Sequence, residues 1–337
     1  MATLVTGGAG YIGSHAAVAL HESGREVILV DNLSNSCREA VEAIRSLTSP
    51  DMAFVEADLR DRSAIDAIFN SHSIDEVVHF AAFKSVGDSV NDPVAYYDNN
   101  LGSTLRLVEA MLSHGVRRLV YSSSCTVYGQ PEIIPVNESA ATGAQSPYGW
   151  TKYMCEQILR DTCEAHDLDA MLLRYFNPVG AHQSGTIGEN PVGTPNNLVP
   201  YVMMVAAGRL EKLQVFGSDY DTSDGTAIRD YLHVTDLAEG HVAALDALAG
   251  GATGCEAVNL GTGVGTTVLQ VLSAAERAVG RAIPFEMVGR RNGDIEKIWA
   301  DPSYAEELLG WTATRGLDQM MGDHWNWQKS HPDGFNN

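Results

Sequence analysis

The sequence has few cysteines, and none of its apolar segments is long. Its cysteines are five in number and include no Cys-x-x-Cys pair: Cys37, Cys125, Cys155, Cys163 and Cys255. This pattern predicts neither a disulfide framework nor a zinc site. No apolar run approaches the roughly 18 residues of a membrane span, and no charged segment followed by a signal-type apolar stretch opens the chain. We therefore expect a cytoplasmic protein with no bound metal and no membrane partner.

Basic residues are scarce as well. Lysine and arginine together number 22 against 43 aspartates and glutamates, which gives a net charge of −21. This excess opposes nonspecific binding to nucleic acid, so we expect no nucleic-acid partner, and an anionic ligand needs a locally basic pocket. Only five of the basic residues are lysines. Lys84 and Lys152 are therefore notable candidates for a charged role.

Glycines, by contrast, are concentrated near the N-terminus, where the apolar pair Leu4 and Val5 runs into a glycine-rich turn. Apolar residues then recur at helical spacing as far as Leu20, and the glycines of the turn are Gly7, Gly8, Gly10 and Gly13. The pattern predicts a strand, a tight turn and a helix. Without Cβ atoms the turn lets backbone amides approach a phosphate, and the helix N-terminus favours the anion by up to ~1 kcal/mol. A turn that binds nothing would show the same glycines.

Asp31 favours the ligand-binding interpretation. It ends the next apolar run, Val27 to Val30, where its carboxylate can accept hydrogen bonds from both hydroxyls of an adenosine ribose. A 2′-phosphate would be repelled at this position. The sequence therefore predicts NAD rather than NADP as the cofactor.

Strands and helices alternate through the first half of the chain. The apolar run 53–55 leads to Asp58 and Leu59, and two long helical patterns extend over 93–112 and 148–166. The alternation predicts an α/β fold with a doubly wound parallel sheet. Ligands of such sheets lie outside the carboxyl ends of the strands, so we expect Asp58 and Leu59 to meet the adenine.

The length of 337 residues exceeds what one compact core usually holds. After Asn177 the composition changes to a loop rich in glycine, proline and asparagine, which runs from Pro178 to Pro195. We place the domain boundary between residues 177 and 178. A second glycine cluster, Gly261 to Gly265, lacks a carboxylate at the end of the next strand, so we interpret it as a turn.

Tyr148 and Lys152 lie four residues apart, on one face of the second long helix. The same spacing would suit a pair on a solvated surface. The strand before this helix ends in three serines, however, and lysine is rare in the chain, which together favour a catalytic pair. A tyrosine of pKa about 10 is a poor base at neutral pH, and lowering that pKa by about three units requires roughly 4 kcal/mol of preferential stabilisation of the phenolate. A close ammonium and a positively charged nicotinamide would supply it.

Motifs along nearly the whole chain resemble those of one family. With Ser124, Tyr148 and Lys152, the chain resembles the UDP-glucose 4-epimerase family, in the extended branch of the short-chain dehydrogenase/reductase superfamily. The resemblance implies a Rossmann domain over 1–177 that binds NAD and a smaller C-terminal α/β domain over 178–337 that binds a UDP-sugar, with parts of 227–260 packed on the first domain. The motifs are YDNN (97–100), SSS (122–124), TVYG (126–129), RYFNPVGAH (174–182), PNNL (195–198), DGT (224–226), RDY (229–231) and WAD (299–301).

The resemblance also implies a mechanism and a step of galactose metabolism. Tyr148, as phenolate, would take the proton from the sugar 4-hydroxyl while the C4 hydride passes to tightly bound NAD. Ser124 would hydrogen-bond the same oxygen and relay the proton, and Lys152 would lower the tyrosine pKa and hold the nicotinamide ribose. The 4-keto sugar would turn over and receive the hydride on the opposite face, which interconverts UDP-galactose and UDP-glucose. The implied cofactor contacts are Gly7, Gly10, Tyr11, Ile12, Gly13, Asp31, Asn32, Asn35, Ser36, Asp58, Leu59, Phe80, Ala81, Ala82, Lys84, Asn99, Ser122, Tyr148, Lys152 and Phe176.

Substrate contacts and a specificity position are implied in the same way. Two arginines are assigned to the diphosphate, although Arg291, next to Arg290, would also suit a solvated loop. Family members carry a tyrosine or a small residue where this chain has Ile298, and the small residue is associated with room for an N-acetyl group. Because isoleucine is bulky and stiff at χ1, we expect Ile298 to disfavour N-acetylated sugars. The implied substrate contacts are Lys84, Ser124, Tyr148, Tyr175, Asn177, Asn197, Leu198, Gln214, Phe216, Arg229, Tyr231, Arg291 and Asp294.

Other activities share parts of this pattern. A nucleotide-sugar 4,6-dehydratase needs an acid/base pair in the loop where this chain has Cys125 and Thr126, and neither replaces a carboxylic acid efficiently. A net dehydrogenase would consume NAD in proportion to product. A catalytically idle NAD-binding protein is disfavoured because the serine, tyrosine and lysine are all present. The two long helices resemble a pair that forms a four-helix dimer interface in this superfamily, which implies a homodimer, although their outer faces would equally suit ordinary surface.

Overall fold

The structure, a computed structural model, describes residues 1–291 and 294–335. Over these ranges the strands are β1 (Ala2–Thr6), β2 (Glu26–Asp31), β3 (Ala53–Glu56), β4 (Glu76–His79), β5 (Arg118–Ser122), β6 (Asp169–Tyr175), β7 (Asn177–Val179), β8 (Leu213–Phe216), β9 (Ile228–His233), β10 (Cys255–Leu260), β11 (Gly265–Thr267), β12 (Phe285–Val288) and β13 (Lys297–Ile298). The helices are α1 (Tyr11–Glu22), α2 (Arg38–Leu47), α3 (Arg62–Ser71), α4 (Val86–Asn91), α5 (Pro93–His114), α6 (Pro147–Ala165), α7 (Leu198–Ala206), α8 (Val234–Ala249), α9 (Val268–Val279), α10 (Ser303–Leu309) and α11 (Leu317–Ser330), with a 3-10 turn over Cys125–Val127.

Seven strands form a parallel sheet in the order β10-β6-β5-β4-β1-β2-β3. Side chains alternate between its faces: Leu4 and Ile28 pack with α3, α5 and α6, whereas Val5 and Leu29 pack with α1, α2 and α8. All four are buried, and each contributes roughly 1.5–3 kcal/mol by leaving water. The predicted doubly wound parallel sheet is confirmed. The strand order reverses between β1 and β4, which is where such sheets bind ligands.

The two long predicted helices correspond to α5 and α6. Both begin with proline at the first position, after an Asp92 or Ser146 side chain that accepts a backbone N–H hydrogen bond. The helix α4 was not predicted, and it begins at a Ser85 cap. None of the helices in the described ranges is long and apolar enough to cross a bilayer.

The second half of the chain contributes to both parts of the molecule. The helix α8 packs on α1, and β10 pairs with β6 from Cys255 opposite Ala170 to Leu260 opposite Tyr175. The helix α10 packs on α8 and β10, and the other elements form a smaller α/β unit in which α7, α9 and α11 surround an apolar cluster. The functional division at residue 177 stays a prediction, and the second predicted domain includes residues 292–293 and 336–337, which lie outside the described residues.

Two loop predictions have different outcomes. The loop expected from Pro178 begins later, because Pro178 and Val179 belong to β7 and pair with β9. The second glycine cluster is a loop, as expected, and its amides are occupied by a protein carboxylate. The Asp230 side chain accepts hydrogen bonds from Thr262 N at 2.9 Å and Gly263 N at 3.1 Å.

Buried histidines make the stability of this fold pH-dependent. Burial lowers the pKa of His15 and His79 to about 3, and the pKa of His241 and His324 to about 4. In the unfolded chain a histidine has a pKa of about 6.5. Below that pH the unfolded chain binds more protons than the folded one, so this part of the stability is complete above about pH 6.5 and is lost as pH falls towards 4.

We expect replacement of His241 by leucine to reduce this pH dependence. His241 is buried against Phe80 and Tyr175, and of its two ring nitrogens only Nδ1 has a hydrogen-bond partner in the part of the chain that the structure describes, the Leu237 carbonyl. Urea titrations at several pH values between 6.5 and 5 would give the unfolding free energy at each pH. Its change with pH should be smaller by about 1 kcal/mol per pH unit in His241→Leu than in the unmodified protein. The same replacement at exposed His166 serves as the control. Equal slopes in His241→Leu and the unmodified protein would contradict the assignment.

Candidate active site

A cleft opens at the carboxyl ends of the central strands, between the glycine turn, the ends of β2 to β4 and the start of α6. We refer to it as the cofactor cleft. Every predicted cofactor contact lines it except Phe176. Phe176 is buried instead with Val127 and Ile298. The preceding side chain, Tyr175, faces the cleft, and alternation along the strand turns Phe176 to the other side.

The glycine turn leaves room for backbone alone. A Cβ on Gly7, whose φ is +67°, would lie 2.7 Å from Ala81 N, and a Cβ on Gly13 would lie 2.2 Å from the Gly7 carbonyl oxygen. The helix α1 begins after Gly10, and no side chain among residues 1–291 and 294–335 caps its first amides. These free amides and the positive end of the helix fit the diphosphate of a dinucleotide.

Asp31 is held in place at the end of β2. Its Oδ1 accepts hydrogen bonds from Leu33 N at 2.9 Å and the Ser36 hydroxyl at 2.8 Å, and its Oδ2 accepts one from Ala9 N at 3.1 Å. A carboxylate has about four lone-pair sites, so capacity remains for a ribose hydroxyl. The glycine turn and this oriented acceptor together fit NAD.

Tyr148 and Lys152 are both buried on the inner face of α6, which excludes the interpretation of a pair on a solvated surface. The Lys152 ammonium donates to the Ser122 carbonyl at 2.6 Å. It lies 5.9 Å from the centre of the Tyr148 ring and 5.0 Å from that of Tyr121. Burial lowers the pKa of Lys152 to about 8, which leaves it mostly protonated at pH 7.

The protein groups alone raise the pKa of Tyr148. Burial raises it well above the usual value, the nearby Tyr175 adds to that rise, and a hydrogen bond with Ser124 opposes it. Lys152 donates to a backbone carbonyl and faces the ring, while the phenol itself loses the solvation that an anion needs. The lowering expected from Lys152 together with a positively charged nicotinamide stays a prediction.

Ser124 is oriented by a neighbour that sequence reasoning missed. Its Oγ accepts hydrogen bonds from the backbone N–H of Thr126 at 3.2 Å and from the Thr126 hydroxyl at 3.0 Å. Beside it, the Ser123 hydroxyl donates to Glu156 of α6 at 2.5 Å, and Glu156 forms a buried ion pair with Arg174 of β6. The tip of β5, α6 and β6 are thus fixed relative to one another.

The structure brings some of the predicted substrate contacts together in the smaller unit. The Arg291 guanidinium lies 5.3 Å from the centre of the Phe216 ring and pairs with Asp294 at 2.9 Å. Arg290 points elsewhere, to Asp219 at 2.7 Å and to the face of Tyr220. Of the two adjacent arginines, Arg291 is therefore the one beside other predicted contacts.

Arg229 and Ile298 lie directly opposite each other where β9 pairs with β13. Arg229 lies near the loop after Ser124. Its positive charge there opposes the rise that burial causes in the pKa of Cys125. Ile298 is buried with Phe176 and Val127. The remaining predicted contacts are separate from these: Asn177 opposite Tyr231 between β7 and β9, Asn197 and Leu198 at the start of α7, and Gln214 beside Glu286.

One wall of the cofactor cleft was not predicted from the sequence. It consists of residues 187–191 and Phe335. These residues come from a loop and from the C-terminal segment, where no periodic pattern marks a site. The only feature that could have drawn attention to them is a charged residue, Glu189, inside a run of glycine, asparagine and proline.

Comparison with known proteins places this geometry in context. A model of the "NAD dependent epimerase/dehydratase family" matches residues 3–261. The chain is 54% identical to the UDP-glucose 4-epimerase of Bacillus subtilis, over 99% of both chains, and 51% identical to that of Homo sapiens, over 98% of this chain and 97% of the human one. A crystal structure of the Bifidobacterium longum UDP-glucose 4-epimerase in complex with NAD+ and UDP superimposes with a TM-score of 0.96 at 48% identity, over 99% of this chain and 100% of that one.

We expect Asp31→Asn to weaken NAD binding at least tenfold, about 1.4 kcal/mol, because the amide keeps the shape but removes the charge and one acceptor oxygen. Titration calorimetry of NAD into stripped protein would measure the effect. Asp51→Asn, at an exposed position after α2, is the control. Equal affinity of Asp31→Asn and the unmodified protein would remove Asp31 from the cofactor site.

Proposed function

The chain belongs to the NAD-dependent epimerase/dehydratase family, and we propose that it is a 4-epimerase that interconverts UDP-galactose and UDP-glucose with NAD held in the cofactor cleft. The observation that carries the proposal is the arrangement of Ser124, Tyr148 and Lys152, which are buried together beside that cleft. The named relatives that act on UDP-glucose support the choice of substrate.

The chain's own residues divide the work of binding and orientation. The first amides of α1, brought close by the glycine turn, hold the diphosphate of the cofactor, and Asp31 holds its adenosine ribose. Lys152, fixed on the Ser122 carbonyl at 2.6 Å, holds the nicotinamide ribose. When bound, NAD supplies the acceptor and donor of the C4 hydride.

Proton transfer falls to Tyr148 and Ser124. Tyr148, as phenolate, takes the proton of the sugar 4-hydroxyl and returns it when C4 regains its hydride. Ser124 lies close enough to Tyr148 to oppose the rise in its pKa and is oriented by Thr126, so it can bridge the sugar oxygen and the phenol oxygen. Because both the proton and the hydride return to the sugar, no net oxidation results.

Two arginines bind the diphosphate of the UDP-sugar in this strongly acidic protein. Arg229 lies on the side of Ser124, and Arg291 lies over Phe216. Both belong to the smaller unit, whereas the cofactor residues belong mainly to the sheet. The substrate therefore lies between the two units, with its sugar towards Tyr148.

The loop after Ser124 favours epimerisation over dehydration. A dehydratase needs an acid/base pair there, and burial raises the pKa of the Cys125 thiol to about 12. Such a thiol stays protonated at neutral pH and cannot act as a base. The Thr126 hydroxyl is engaged by Ser124.

Purified protein incubated with UDP-galactose and no added cofactor tests the proposal. We expect UDP-glucose to form without accumulation of reduced nicotinamide absorbance, and Tyr148→Phe to lower kcat by roughly 10²–10⁴. Accumulating NADH would indicate a dehydrogenase. No conversion with or without added NAD would refute the epimerase.

Arg229→Ala should raise the KM for the UDP-sugar at least tenfold, about 1.4 kcal/mol, because a cation that meets the diphosphate is lost. Steady-state kinetics with UDP-galactose would measure it. Arg290→Ala is the matched control, since Arg290 pairs with Asp219. An unchanged KM in Arg229→Ala would exclude Arg229 from the substrate site.

We expect UDP-N-acetylglucosamine to be turned over with a kcat/KM at least about tenfold below that of UDP-glucose. Ile298 supports this expectation, since it is bulky and packed against Phe176 and Val127, so that it has little freedom to move aside for an N-acetyl group. The replacement Ile298→Ser should reduce the difference in kcat/KM between UDP-N-acetylglucosamine and UDP-glucose. Comparable turnover of both sugars by the unmodified protein would overturn the assignment of Ile298 as a gate.

We further infer a homodimer formed through α5 and α6, acting in the cytoplasm in galactose metabolism. The two helices pack together, and Leu105, Trp150 and Met154 leave apolar side chains exposed on them. The described cysteines are unpaired, which is typical of a reducing compartment. Sedimentation at micromolar concentration should give a mass twice the 36.2 kDa of one chain. The replacement Trp150→Glu should reduce that mass to the mass of one chain. A single-chain mass for the unmodified protein would exclude the dimer.

A further inference from the structure

Glu189 lies in the wall of the cofactor cleft that was not predicted from the sequence, and it is not among the predicted cofactor or substrate contacts. Its side chain is 4% exposed, and its Oε1 accepts a hydrogen bond from Lys84 Nζ at 2.9 Å. Its second oxygen, Oε2, is buried and has no partner within the described part of the chain. Leaving a buried carboxylate oxygen without a donor is costly. The position therefore suits a ligand that brings a donor.

The backbone around Glu189 is fixed independently of Lys84. Trp327 of α11 donates its indole N–H to the Glu189 carbonyl at 3.1 Å. A Cβ on Gly188 would lie 2.4 Å from the Trp327 ring, so the chain packs directly against the indole. On the other side Gly334 packs against Asn190 just as closely. The wall is thus a rigid support from which Glu189 reaches across the cleft.

Lys84 approaches from the opposite side. It follows β4, and its ammonium lies 5.8 Å from the centre of the Tyr11 ring, at the first residue of α1. Burial, reinforced by the charge of Glu189, raises the pKa of Tyr11 well above its usual value. Glu189 and Lys84 therefore meet beside the end of the glycine turn, where the cofactor diphosphate is expected.

We propose that Glu189 is a positioning residue for the cofactor: its Oε1 holds Lys84 beside the diphosphate, and its Oε2 accepts a hydrogen bond from a hydroxyl or amide N–H of the dinucleotide. This inference rests on the proposed function, since it assumes NAD in this cleft. A carboxylate accepts hydrogen bonds and donates none, and the phosphates repel it. Lys84 between the two negative groups offsets that repulsion.

The ion pair also joins the two sides of the cleft. Glu189 belongs to the segment after β7, and Lys84 lies in the loop that follows β4 of the central sheet. With NAD in the cleft that this pair spans, dissociation of the cofactor requires the pair to separate. Glu189 thus acts mainly on the residence time of the cofactor and little on the chemical step.

Exchange of resident NAD for labelled NAD in the holoenzyme tests this role. We expect exchange at least tenfold faster in Glu189→Gln, and this rise in the exchange rate should exceed any fall in kcat at saturating NAD. In Lys84→Met exchange should also be faster, and the double variant should be no faster than the faster single variant, because the two residues act as one unit. Glu42→Gln, which removes an exposed ion pair with Arg45 in α2, should exchange like the unmodified enzyme.

The outcomes separate this role from the proposed function. Unmodified protein that neither holds nor exchanges NAD would refute both. Normal epimerisation with equal exchange rates in Glu189→Gln and the unmodified enzyme would refute only the role of Glu189. If the glutamine variant does not fold, Glu189→Asp keeps the charge but shortens its reach by one methylene, and it should exchange NAD faster than the unmodified enzyme. A rate equal to that of the unmodified enzyme would again refute the role.

Discussion

The close approach of backbone at the point where the strand order reverses is the constraint on which the site depends. Gly7 lies so near Ala81 that no Cβ fits between β1 and the end of β4, and Gly13 lies equally near the Gly7 carbonyl. This contact brings the start of α1 to the carboxyl ends of the strands. The end of β2, with Asp31, and the start of α6, with Tyr148, then face the same space. A larger residue at either glycine would separate these elements before it touched a ligand.

A second constraint is the buried charge behind the catalytic helix. Glu156 of α6 pairs with Arg174 of β6, and the Arg174 guanidinium also donates to the Tyr128 hydroxyl at 3.1 Å. Tyr128 donates in turn to Asn259 of β10 at 2.7 Å. Removing one member of such a pair typically costs about 3–5 kcal/mol, because the other charge stays buried. The network fixes α6 against three neighbouring elements, so the positions of Tyr148 and Lys152 depend on residues that never meet a ligand.

Most of the sheet and its cofactor edge could be predicted from the sequence because their signals are local. Apolar runs, the glycine turn and Asp31 each lie within a few residues of what they specify. The wall formed by residues 187–191 could not be predicted, since its position comes from packing against Trp327, 136 or more residues later in the chain. The orientation of Ser124 by Thr126 likewise depends on a contact that periodicity does not encode. The rise that burial causes in the pKa of Tyr148 could not be predicted for the same reason, because burial is a property of the folded chain.

The burial of Tyr148 links its chemistry to the cofactor. Desolvation penalises the phenolate, so the protein groups alone keep the phenol protonated at neutral pH. The same low-dielectric surroundings strengthen the effect of every positive charge that is brought near the oxygen. A cationic nicotinamide in the cofactor cleft, added to the ammonium of Lys152, would therefore shift the pKa of Tyr148 downwards by more than it would in water. Under the proposed function, Tyr148 would act as a base only in the complex with the oxidised cofactor, and proton abstraction would be confined to the state in which hydride transfer can follow.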